Sequence, residues 1–216
     1  MFINNARIDT ASTQDVLERY SNGERNFVGA QLERAQLSRA DLSRIDLSQA
    51  DLSGVHLSGA HLMGANLYGA QGIGTNLSGA HMQGSNMAEA NFSGANFWQA
   101  HLWGANLTRI SLQSSYLLGA DLRGATLGKA NLVRANLAQS RMERCNLRGA
   151  NLTQARLERS SLDRADLRES MLCGTDLRGA SLQYTDLRGA LYDEYTQLDP
   201  SISPVREGMI FCEDSL

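Results

Sequence analysis

With 216 residues and a formal net charge of −3, the chain has room for one large domain or two small ones, and its two prolines, Pro200 and Pro204, both lie near the C-terminus, so no linker-like segment divides it. No run of about 18 apolar residues is present to span a bilayer, and the opening Met-Phe-Ile-Asn-Asn-Ala-Arg lacks the pattern of a secretory signal, which makes the cytoplasm the expected compartment. Cys145, Cys173 and Cys212 are odd in number and lack metal-type spacing, which fits reduced thiols.

In chain order, residues 10–23 read as a short helix. Ser12 with Asp15 three residues later suits a helix start, Val16, Leu17 and Tyr20 make one apolar side, and Gly23 suits a stop.

From Phe27 to Leu187 a large apolar residue recurs at every fifth position. All of these 33 positions except Gly72 hold Leu, Phe or Met, and the position two before each is usually Ala. On an α-helix a five-residue step turns by roughly 140°, which scatters the apolar residues around the axis. In a straight strand the Ala and Leu two apart share a face, but the next Leu falls on the opposite one. Both point inward repeatedly only if three extended residues are followed by a corner made of the remaining two. Gly occupies 16 of the 33 positions two after each apolar centre, as expected where the backbone bends sharply. Four such corners close a square.

Ala40-Asp41-Leu42-Ser43-Arg44, Ala50-Asp51-Leu52-Ser53-Gly54 and Ala150-Asn151-Leu152-Thr153-Gln154 carry a resemblance, over about three quarters of the chain, to the pentapeptide repeat family and its A(D/N)LxX pattern. The resemblance implies an all-β solenoid: a right-handed quadrilateral β-helix with one coil per 20 residues, so about eight coils here. At roughly 4.8 Å per stacked strand the column would be about 40 Å long. The expected organisation is an N-terminal segment with a capping helix over 1–24, the β-helix over 25–192 and an irregular acidic C-terminal tail over 193–216. The stretch from Leu17 to Phe27 also resembles the leader of cyanobacterial members.

Gly72 is the single failure of the apolar position. The expected remedy is a local bulge that lets Ile73 fill the gap, the alternative being a notch open to a ligand. Residues 20 apart stack, so the position before each centre forms a ladder of Asp41, His61, His81, His101, Asp121 and Arg141. His61, His81 and His101 are the candidate metal ligands, but a flat column lacks convergent geometry. The preferred reading is polar stacking, with mutual repulsion keeping the imidazoles neutral. The two tryptophans of the chain, Trp98 and Trp103, occupy outward positions on either side of His101, with Leu118 one coil above Trp98. Trp98, His101, Trp103 and Leu118 are therefore the candidate partner-binding residues.

Between Arg44 and Arg109 there is no Lys or Arg, whereas residues 109–190 hold thirteen basic and eight acidic residues, and residues 191–216 hold one Arg against six acids. The mixed charges fit a salt-bridged surface better than a nucleic-acid groove. The acidic tail is expected to fold over the basic coils or to close the column end, using Tyr192, Tyr195, Ile202, Val205 and Ile210. No nucleophile, base and orienting group converge, and the glycines recur as corners instead of forming a phosphate loop. The expected function is a non-enzymatic scaffold that docks an unidentified protein, without cofactor, catalytic residue or membrane contact. The resemblance supplies an alternative, since some family members protect DNA gyrase by imitating duplex DNA, but that needs a strongly acidic column. Metal binding by the histidine ladder is a further alternative.

Overall fold

The computed structural model describes residues 13–213. A ladder of parallel bridges joins residues 20 apart, from Asn26↔Asp46 to Met171↔Leu191, and in every repeat the bridged residue is the one before the apolar centre. The chain thus climbs as a column of stacked coils, each with four faces. Every face carries one bridge residue per coil instead of a longer strand, because the two corner residues interrupt the ladder on both sides.

One repeat accounts for its whole backbone. Asp46 N donates to Arg25 O of the coil below (2.7 Å), while Leu47 N and Gln49 N donate to Asn66 O and Tyr68 O of the coil above (2.7 and 2.8 Å). Ala50 N closes the corner onto Leu47 O (3.1 Å), and Ser48 N donates to the Asp46 carboxylate (2.9 Å). All five N–H groups are paired, which explains the recurrent Asp or Asn: it accepts the one donor that no carbonyl reaches.

The corner itself is a type II turn, with left-handed backbone at its third residue. This conformation is shared by glycines such as Gly54 (φ 65°) and by seventeen non-glycine residues, among them Arg39 (φ 60°) and Lys129 (φ 58°). Stacking between coils imposes the geometry even where the residue type opposes it.

Leu, Phe and Met at the centres, with Ala two before them, form one continuous buried core. Gly72 departs from expectation. Ile73 stays outside at 52% exposure, and Gly72 keeps its register through Gly72 N to Asn91 O (2.7 Å), so there is no bulge. The space is filled from the next coil: a Cβ on Gly72 would lie 2.1 Å from Cε1 of Phe92. A larger aromatic ring one storey up replaces the missing Leu, leaving neither bulge nor notch.

The lower end is covered by helix α1, Thr13–Ser21. It stops in a Schellman motif, with Glu24 N on Arg19 O, Gly23 N on Tyr20 O (both 3.0 Å) and Gly23 at φ 93°. Val16 is fully buried, and Leu17 and Tyr20 pack on the core. Two open backbone groups of the lowest coil are satisfied from α1: Thr13 Oγ1 accepts from Gln36 N (2.9 Å), and Tyr20 Oη donates to Ser43 O (2.9 Å). Ser12, the expected helix start, lies outside the described residues.

At the upper end the tail builds the closing layer. Strand β1, Leu191–Tyr192, pairs in parallel with β2, Ile210–Phe211. The bridge Asp176↔Gln197 spans 21 residues, where the period is lost. Buried Asp193 accepts from Gly174 N, Tyr195 N and Thr196 Oγ1 at 2.8 to 3.1 Å. Of the expected apolar contacts of the tail Tyr192 packs on the core, joined by Met209 and Leu198, whereas Tyr195, Val205 and Ile210 remain exposed. Between β1 and β2 the chain turns Asp193 inward and leaves Tyr195 and Val205 on the outside.

Candidate partner-binding face

The face that carries His101 is built by the bridges Asp41↔His61, His61↔His81, His81↔His101 and His101↔Asp121. His61 and His81 meet edge to face with ring centroids 4.9 Å apart, and His81 stacks on His101 at 4.8 Å and 9°. Three successive coils thereby forgo the structural Asp or Asn. Among the described residues no side chain accepts from Met63 N, Gln83 N or Trp103 N, whereas Ser43 N, in the coil below, donates to Asp41 (3.1 Å). The histidines stand where the corner would be better served by another residue.

Desolvation by neighbouring side chains pushes the His81 imidazole below its ordinary range, and repulsion from His101 and His61 adds to this. Burial is thus the larger cause, ahead of the mutual repulsion expected from the ladder. At the lower end of the face, hydrogen bonds from Ser43 hold the Asp41 carboxyl below its usual value, with a smaller contribution from His61. At the upper end burial raises the Asp121 carboxyl, but bonds from Arg123 outweigh it and the net shift is downward.

Trp98 and Trp103 are exposed by 44% and 52%. They stand at the two corners that bound the His101 face, one before its bridge residue and one after it, and neither indole makes a ring contact with His101 among the described residues. Four residues therefore frame one face without forming a closed cluster. Leu118, half-buried one coil above Trp98, lines a shallow groove of about 540 Å³ with Tyr116 and Ala138. Tyr116 is 42% exposed and was missed by sequence reasoning, although its 20-residue offset from Asn96 signals its place on the face that adjoins the Trp98 corner. Gln83 Oε1, in the column that holds Trp103, is buried without a hydrogen-bond partner among the described residues.

Parallel imidazoles at 4.8 Å keep their lone pairs in separate planes, so His81 and His101 do not converge on a common ion. Among the described residues no group of three or more His, Cys, Asp or Glu is placed to hold a metal. No helix of the described residues is long and apolar enough to cross a membrane.

The five-residue period and 20-residue stacking are matched by the family model for pentapeptide repeats, which fits in eight copies across residues 25–54, 40–71, 50–88, 90–128, 130–168 and 160–191. The chain belongs to the pentapeptide repeat family. Proteins of this family fold as right-handed quadrilateral β-helices. Among solved structures, full-length QnrB1, a plasmid-mediated fluoroquinolone resistance protein, is similar at 21% identity and a TM-score of 0.52, over 87% of this chain and 92% of that one. HetL, a pentapeptide repeat protein involved in heterocyst differentiation regulation in the cyanobacterium Nostoc sp. strain PCC 7120, shares 29% identity over 84% of this chain and 97% of its own, with a TM-score of 0.41. No curated protein matches the chain. The pentapeptide repeat column thus shares its fold with QnrB1.

Proposed function

We propose that this pentapeptide repeat protein is a non-enzymatic scaffold of about eight coils that docks a partner protein in the cytoplasm through the face framed by Trp98, His101, Trp103 and Leu118, with Tyr116 as an added contact. The observation that carries this reading is the pairing of two exposed indoles with three consecutive coils that use histidine where the corner calls for Asp or Asn. Exposed Trp and Tyr on a rigid support bury large area at little entropic cost, and no Lys or Arg lies between Arg44 and Arg109, the stretch that holds both indoles and the three stacked histidines. Cys145, Cys173 and Cys212 form no disulfide with one another, in keeping with that compartment.

Affinity capture from the native cell, comparing wild type with Trp98→Ala/Trp103→Ala, tests the assignment. The variant should keep its circular dichroism spectrum and lose its partner; an unchanged set of captured proteins overturns the patch. Imitation of duplex DNA is disfavoured by the thirteen basic residues between 109 and 190, and a gyrase supercoiling assay showing neither inhibition nor protection from a quinolone would eliminate it.

A further inference from the structure

Gly128 is the one glycine among the 33 positions that directly follow an apolar centre. Its backbone lies outside the left-handed region, so it is not there for a turn, and a Cβ built on it would meet only Arg148 O, at an ordinary 3.8 Å. A side chain would therefore fit, and its absence leaves a hollow. A groove of about 700 Å³ opens at this point, with Thr108 one coil below, Arg148 one coil above, Thr126 and Lys129 to the sides and Arg109 at its edge.

The groove is lined by three cations, Arg109, Lys129 and Arg148, and by two carboxylates, Glu89 and Glu169, and the donors of the cations are incompletely used. Arg109 approaches Glu89 only at 3.7 Å, beyond hydrogen-bond distance, and Arg148 commits one Nη to Glu169 at 2.7 Å. Lys129 makes no hydrogen bond or ion pair among the described residues. Its stem runs along Gly149, on which a Cβ would lie 3.6 Å from Lys129 Cγ. The ladder of side-chain amides also breaks here: Thr126 Oγ1 donates down to Asn106 Oδ1 (3.0 Å). Asn146, above it, only accepts, from Arg148 N, so its amide donors are unused among the described residues.

We propose that the Gly128 hollow binds a tetrahedral oxyanion of the phosphate class, held by Lys129, Arg109 and Arg148. Donors below, above and beside the hollow suit several oxygens pointing apart, whereas a planar carboxylate is matched by a single guanidinium. The site is on a different face from the tryptophans and does not depend on the docking assignment.

Backbone amide shifts followed by NMR at constant ionic strength, with inorganic phosphate, O-phosphoserine and acetate as probes, test the proposal. Inorganic phosphate should shift Gly128, Lys129 and Thr108 saturably, and acetate should do so at least about tenfold more weakly, the equivalent of one lost charge-assisted contact. O-phosphoserine binding as well as inorganic phosphate identifies an ester as an acceptable source; weaker binding restricts the site to the free ion. Gly128→Thr, which copies Thr108 of the coil below, and Lys129→Gln should each weaken phosphate about tenfold or more while leaving amides of distant coils unmoved. Absence of saturable shifts with phosphate, equal binding of acetate, or undiminished binding by Gly128→Thr overturns the assignment.

Discussion

Putting the consensus Leu back at Gly72 is expected to weaken the protein. The Phe92 ring occupies that volume, and a Cβ at 2.1 Å leaves no room, so Gly72→Leu should cost about 1–3 kcal/mol by overpacking. The double variant Gly72→Leu/Phe92→Leu should recover most of this, because it restores one Leu per slot; urea unfolding of both variants measures the coupling. Position 72 shows why part of the core was illegible in the sequence: the period marks the empty slot, but the filling residue lies 20 positions away and looks like an ordinary centre. His81 carries the second residue-scale expectation. Its folded pKa is depressed, chiefly by burial, below the 6.5 of the unfolded group. In the window between the two the unfolded chain binds more protons. Stability is therefore complete above about pH 6.5 and is lost as the pH falls through the folded value. His81→Asn should flatten this dependence between pH 7.5 and 5 in urea titrations. It should also raise stability at neutral pH by about 1 kcal/mol, since Asn accepts from Gln83 N as its counterparts do elsewhere.

The corner is the element that decides most. Glycine at half of the corner positions signalled a bend, and that much was legible. What the sequence concealed is that Arg39, Lys129 and fourteen other charged or polar residues, with Tyr184, adopt the same left-handed backbone. Their composition speaks against it, and only the hydrogen bonds between coils enforce it. Each such residue bears about 1–2 kcal/mol of strain. Gly84→Ala isolates this term, because nothing lies within 4 Å of the added methyl group: a loss of about 1 kcal/mol with an unchanged fold is expected from thermal and urea melts. The cap and tail were less legible than the repeats, for the reason that no period constrains them. Leu198, a single apolar residue among polar neighbours, docks onto the core, and of the run from Met209 to Phe211 Met209 is buried while Ile210 and Phe211 are exposed, as is the conspicuous Val205.

Over the whole molecule each coil touches only the coils above and below, so stability is nearly one-dimensional and opening begins at the ends. Hydrogen exchange should show protection highest at centres such as Leu102 and falling toward α1 and β2. Val16→Ala, which loosens the buried anchor of α1, should accelerate exchange in the lowest coils and leave the middle unchanged. The face framed by Trp98 and Trp103 is thereby carried by the least yielding part of the column. The 20-residue offset of the bridges also sets an arithmetic for how such a chain can grow. Loss or gain of one pentapeptide preserves every core contact type but rotates all that follows by a quarter turn. Deleting residues 72–76 should leave a folded column in which the lower and upper halves of each surface pattern no longer face the same way, breaking the alignment of His61 with His81. Deleting a whole coil, such as residues 131–150, should leave the pattern below it intact. Surface alignment in this protein is inherited in units of twenty, whereas foldability is inherited in units of five.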